Sequence, residues 1–91
     1  MKTVFKYRVL VIDDDKEMRT SLIHLLESSG WEIETASSAV GIESLIETTL
    51  PDVILTDVQM PKRTGLELLI DLSNEVMPPI VLISAHGDIP M

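Results

Sequence analysis

The sequence predicts an α/β fold built on a parallel sheet. Four short aliphatic runs alternate with stretches of helical apolar spacing, and turn-forming residues sit at the joints between them. Arg8 to Ile12, R-V-L-V-I, is too brief for a helix and too continuous for a half-solvated strand, so it reads as a buried central strand. Asp13, Asp14 and Asp15 stop it. From Lys16 the spacing turns helical, with Met18, Leu22, Leu25 and Leu26 on one side, and Ser28-Ser29-Gly30 ends the helix. Trp31 to Ala36 places Trp31, Ile33 and Thr35 opposite Glu32, Glu34 and Ala36, the alternation of a partly exposed edge strand.

Ser37 or Ser38 can cap a second helix carrying Val40, Ile42, Leu45 and Ile46. Gly41 and Thr48-Thr49 weaken that helix by propensity, so packing must hold it. After Pro51, Asp52 to Thr56 is a third strand that ends in another acid, Asp57. Met60-Pro61 and Lys62 to Gly65 supply a turn and a helix start, with Leu66, Leu69, Ile70 and Ser73 expected to face inward. Pro78-Pro79 forbids helix and introduces Ile80 to Ile83, a fourth strand ending at Ser84. Repeated βαβ units imply right-handed crossovers. The last run has interior composition but a border position, so its edge is expected to lack a cover.

Composition narrows the function. A chain of 91 residues holds one domain, and 45% hydrophobic with 24% charged residues suits a folded globule. The formal charge of -8 argues against binding to nucleic acid or an anionic membrane and favours a cation or a basic partner. No cysteine is present, which removes disulfide and thiolate-metal chemistry and is compatible with the cytoplasm. The apolar runs fall far short of the roughly 20 residues that span a bilayer. G-x-G-x-x-G and the Gly-Lys-Ser/Thr phosphate loop are both missing.

The carboxyl ends of parallel strands share one rim, where open α/β sheets bind ligands. Asp13, Asp14, Asp57 and Ser84 all fall on it. Neighbouring first and third strands would bring their acids together, and carboxylates so placed repel one another until a hard cation relieves them. Mg²⁺ is the natural occupant. Asp15 alone reads as a helix cap, His24 as a surface residue, Trp31 as an anchor for the helix end, and Lys62 and Arg63 as solvated loop charges.

From Arg8 to the last residue the chain resembles a receiver domain of a two-component response regulator. V-L-V-I-D-D-D resembles the first strand and acidic pair of that family. D-V-I-L-T-D-V-Q-M-P-K-R-T-G-L-E-L-L resembles the phosphoacceptor strand and the turn after it, and I-V-L-I-S-A-H-G-D-I-P-M the fourth strand and its loop. The resemblance implies a doubly wound, flavodoxin-like fold, incomplete here at about four strands and three helices, with residues 1-91 as the N-terminal portion. It implies Asp57 as phosphoacceptor and a Mg²⁺ site of Asp14 directly, Asp13 largely through water, Asp57, and the Gln59 backbone carbonyl. Ser84 would donate a hydrogen bond to the phosphoryl group, Pro61 would shape the turn, Gly65 would open the next helix, and Ala85 would begin the loop after the fourth strand. His86 in that loop reads as solvated rather than catalytic.

The implied activity is that of a phosphorylated regulatory module rather than an enzyme. Its partner would be a sensor histidine kinase in the cytoplasm, its wider role transcription regulation, with no contact of this segment to nucleic acid or membrane. The family's fifth-strand lysine and aromatic switch residue have no counterpart, so phosphorylation is expected to be impaired. A homodimer through the fourth-strand border is expected as well. The competing reading is a receiver-like interaction or dimerisation fragment that is never phosphorylated. A haloacid-dehalogenase-like phosphatase fits poorly, because Asp57-Val58-Gln59 lacks the second acid of a D-x-D pair.

Overall fold

The aliphatic run at the start of the chain forms β1 (Arg8–Ile12), and its last four residues are buried. The computed structural model describes residues 6–73 and 77–83. After β1 come α1 (Lys16–Ser28), β2 (Glu32–Ala36), α2 (Ile42–Thr49), β3 (Val53–Asp57), α3 (Gly65–Leu72) and β4 (Ile80–Ile83). The four strands make one parallel sheet in the order β2-β1-β3-β4. This is the incomplete, doubly wound arrangement that the sequence predicts, with β2 on one border.

The strand order carries a structural consequence. From β1 the chain steps one way to β2, then returns past β1 to β3, so right-handed crossovers place α1 on one face and α2 and α3 on the other. Leu10, Ile12 and Ile54 point into the second face, where they pack with Ala39, Ile42, Ile46, Met60, Leu68 and Leu72. Val9 and Val11 alternate to the first face, where α1 packs against β1 and β2. Between β1 and β3 the winding reverses, and the carboxyl ends at such a point are where open α/β sheets take up ligands.

Helix boundaries follow local chemistry. Asp15 caps α1, its Oδ1 accepting from the Glu17 N–H at 2.9 Å, as expected for that acid. Gly30 leaves α1 at φ 89°, and the Trp31 N–H donates to the Leu26 carbonyl, so Trp31 anchors the helix end as predicted. Thr64 and Glu67 form a reciprocal capping box at the start of α3.

Several inward assignments need correction. Neither Ser37 nor Ser38 caps α2; Gly41 stands at the cap position without a side-chain bond, and the Ser38 Oγ accepts from the Val40 N–H in the preceding turn. Ala39 rather than Val40 enters the core. Leu25 is exposed, and α1 buries no residue completely. On α3 the buried positions are Gly65, Leu68 and Leu72, with Leu69 partly covered, whereas Leu66 and Ile70 face out and Ser73 is exposed. The reason is the phase set by Gly65. Its Cα lies so close to the Asp57 carbonyl that a Cβ would overlap that oxygen. With residue 65 pressed to the sheet, positions three, four and seven further on must face it too.

That phase makes a clear prediction. Leu68→Ala should lower stability by roughly 2–5 kcal/mol, whereas Ile70→Ala, 61% exposed, should change it by less than about 0.5 kcal/mol; urea unfolding followed by Trp31 fluorescence reads both.

Candidate phosphoacceptor and metal site

Asp13 follows β1 directly and Asp57 ends β3, and the two strands pair with Ile12 beside Thr56. The parallel register therefore sets the two acids side by side. The Asp13 N–H donates to the Ala36 carbonyl at 3.0 Å and the Val58 N–H to the Ile83 carbonyl at 3.1 Å, so sheet bonding reaches Asp13 and extends past Asp57. Asp14 comes next in the chain and stays exposed. One carboxylate oxygen from each of Asp13, Asp14 and Asp57 can be chosen so that all lie within 4.8 Å of one another.

Asp13 is 0% exposed and Asp57 1%. Each is half satisfied: the Asp15 N–H donates to Asp13 Oδ1 at 2.9 Å, and the Gln59 N–H to Asp57 Oδ1 at 3.2 Å. The Oδ2 atoms of both are buried without a hydrogen-bond partner among the described residues. A buried carboxylate oxygen left in this condition is costly. Burial pushes the Asp13 carboxyl above its usual range; the Asp15 N–H opposes this, and the nearby Asp57, Asp14 and Asp15 add to the rise. Two orphaned oxygens in a cluster with a third carboxylate fit a hard divalent cation, which selects negatively charged oxygen donors. Asp13, Asp14 and Asp57 are the side chains that would hold it.

The other expected residues fall as follows. Gln59 is exposed, but its backbone N–H faces Asp57. Pro61 is exposed in the turn, and Met60 beneath it is buried. Gly65 opens α3 and donates its N–H to the Val58 carbonyl at 3.1 Å. Ser84, Ala85 and His86 lie outside the described residues. Exposed His24 is a surface residue, as read from the sequence.

Two arginines hold the surroundings of the site, one unassigned from sequence and one assigned wrongly. Arg19 Nη1 donates to the Asp13 carbonyl at 2.7 Å and so fastens α1 to the loop after β1. Arg63 is not a solvated loop charge: it binds Glu43, Asp71 and the Ala39 carbonyl. Arg19 lies one helical turn past the Asp15 cap, a spacing visible in sequence. The partners of Arg63 are eight to 24 residues away, and only tertiary packing brings them in.

Comparison with known proteins agrees with the geometry. The family described as "Response regulator receiver domain" matches residues 9–91. Nodulation protein W of Bradyrhizobium diazoefficiens is 38% identical over 87 residues, covering 91% of this chain and 37% of that protein. Transcriptional regulatory protein FixJ of Rhizobium meliloti is 33% identical over 86 residues, covering 93% of this chain and 42% of that protein. The chain thus spans less than half the length of these curated relatives. Among solved structures, a response regulator receiver protein from Pseudomonas putida superposes with a TM-score of 0.81 at 25% identity, covering 94% of this chain and 74% of the other. The structure titled FixJ-N gives a TM-score of 0.80 at 31% identity, covering 96% and 70%.

The raised Asp13 carboxyl predicts a pH-dependent penalty. A group whose folded pKa lies above its ordinary 3.8 favours the fold at lower pH, and that contribution is lost as pH rises through the folded value. Without divalent cation, Asp13→Asn, which keeps an acceptor for the Asp15 N–H, should therefore be more stable than wild type at neutral pH, with the gain vanishing below pH 3.8. Added Mg²⁺ should stabilise wild type more than the variant. Thermal melts across pH, with and without the ion, check both halves.

Proposed function

This chain belongs to the response regulator receiver domain family, and we propose that its Asp57 accepts a phosphoryl group from a phosphohistidine on a sensor kinase. The single observation that carries this reading is the convergence of Asp13, Asp14 and Asp57, with two buried oxygens unpartnered, at the sheet's switch point. An Asp57 carboxylate oxygen attacks phosphorus, the donor's N–P bond breaks, and its electron pair leaves with the imidazole, forming an acyl phosphate. Asp13, Asp14, Asp57 and the Gln59 carbonyl would hold a Mg²⁺ ion, which would supply the positive charge that lets an anionic donor approach an anionic acceptor.

The rest of the work falls to the chain itself. Asp57 is held at the end of a central strand, its Oδ1 fixed by the Gln59 N–H. That bond fixes how the carboxylate is turned at the rim. Ser84 is the proposed donor to a phosphoryl oxygen. The module regulates rather than turns over substrate, and its place is the cytoplasm, where sensor kinase catalytic domains meet their acceptors.

An acyl-phosphate donor such as acetyl phosphate, with Mg²⁺, should add one phosphoryl group at Asp57, slowly because no cationic side chain contacts this carboxylate among the described residues. Intact-mass measurement reads the label. Asp57→Asn or excess chelator should abolish it, and labelling that persists in Asp57→Asn would refute the assignment.

A self-associating role finds support in one feature. The outer border of β4 has no strand beside it among the described residues, and Val81 on that strand is 46% exposed. We infer that two copies meet along this border. Sedimentation velocity from micromolar concentration upward should show a monomer–dimer equilibrium that a charged residue at Val81 weakens; one invariant monomer peak counts against it.

A further inference from the structure

The loop that leaves Asp57 is fastened at both ends. The Gln59 N–H binds Asp57 Oδ1, and the Gly65 N–H binds the Val58 carbonyl. Between them the backbone turns sharply: Lys62 has φ 70°, and the Arg63 N–H donates to the Pro61 carbonyl at 2.8 Å. A three-residue turn with a positive central φ is the rare, strained form for a residue carrying a side chain. Something outside the loop must hold it.

Arg63 does so. Its guanidinium reaches both carboxylate oxygens of Glu43 on α2, Nη1 to Oε1 at 2.8 Å and Nη2 to Oε2 at 2.7 Å. Nη2 also donates to Asp71 Oδ2 on α3 at 2.9 Å, and Nη1 to the Ala39 carbonyl at 3.1 Å. The side chain is only 16% exposed. This two-pronged geometry is one that arginine makes and lysine cannot. The same bond holds the Glu43 carboxyl down to about 2, so the clamp stays ionised at any ordinary pH.

We propose that Arg63 is a positioning residue for the divalent-cation site, clamping the Pro61–Arg63 turn onto α2 and α3 so that the Gln59 backbone stays registered against Asp57. The inference rests on the phosphoacceptor reading of Asp57 and extends it to the residue that sets its loop. The sign of the effect separates geometry from charge. Arg63 is cationic, so if it acted through charge alone its removal would leave the acids more negative and tighten cation binding. Loss of positioning weakens it.

The test is calorimetric titration of Mg²⁺ into wild type, Arg63→Met, Arg63→Lys, Glu43→Gln and the Arg63→Met/Glu43→Gln double variant, with the Gln59 and Gly65 amide shifts followed in parallel. Arg63→Met should weaken Mg²⁺ binding roughly tenfold, the lower end of what loss of a ligand-supporting partner costs. Arg63→Lys should weaken it less, Glu43→Gln should also weaken it, and the double variant should be no worse than Arg63→Met alone. The Mg²⁺-induced shifts at Gln59 should shrink in step. Binding by Arg63→Met equal to or tighter than wild type, or losses that simply add in the double variant, overturns the proposal. If Arg63→Met does not fold, Arg63→Lys decides, because it keeps the charge and loses only the fork. Failure of wild type itself to bind Mg²⁺ is a distinct result and sinks the phosphoacceptor reading.

Discussion

Two carboxylates buried side by side are the constraint to which the rest of this structure answers. Asp13 and Asp57 are withdrawn from water at the ends of adjacent parallel strands, and each keeps one oxygen without a partner. Neutral hydrogen bonding satisfies only half of each group, and Asp14 adds a third like charge. A fold that tolerates this arrangement spends stability at its rim, and the large apolar face formed by β1, β3, α2 and α3 offsets the cost. A bound cation would convert the same rim from a liability into a source of binding energy.

Position at the switch point sets the buried acids where open α/β sheets take up ligands. The helices diverge there to opposite faces of the sheet. The loop after β3 then becomes the principal wall. Met60 plugs it into the core, Gly65 brings the start of α3 against the backbone of Asp57, and Arg63 ties its middle to two helices. Every one of these contacts follows from a residue within eight positions of Asp57.

Legibility in the sequence tracked how local the determining physics is. All strands, the central place of β1 and the border place of β2 were readable from composition and alternation, because burial on one or both faces leaves a direct imprint. Asp13, Asp14 and Asp57 were readable because parallel topology alone puts strand ends on one rim. The face of α3 was misjudged: its apolar residues at 66, 68, 69, 70 and 72 support more than one stripe, and the contact of Gly65 with the Asp57 carbonyl selects between them. Val40 was misjudged for a similar reason, since a turn held by Ser38 delays α2 until Ile42. Arg63 was opaque because nothing near it in sequence reveals that α2 and α3 each present an acid to the same guanidinium.

The tilted contact of Trp31 with Tyr7, ring centroids 5.7 Å apart, lies at the opposite end of the sheet from the acids. Five residues of strand separate those levels, roughly 16 Å at the rise of a parallel strand. The chain's sole indole is therefore an optical gauge of whether the sheet is intact and is nearly blind to chemistry at the far rim. Spectroscopy of ligation in this protein calls for a chromophore placed elsewhere, and the outward-facing Leu66 on the first turn of α3 offers a nearby mounting point that leaves the core untouched.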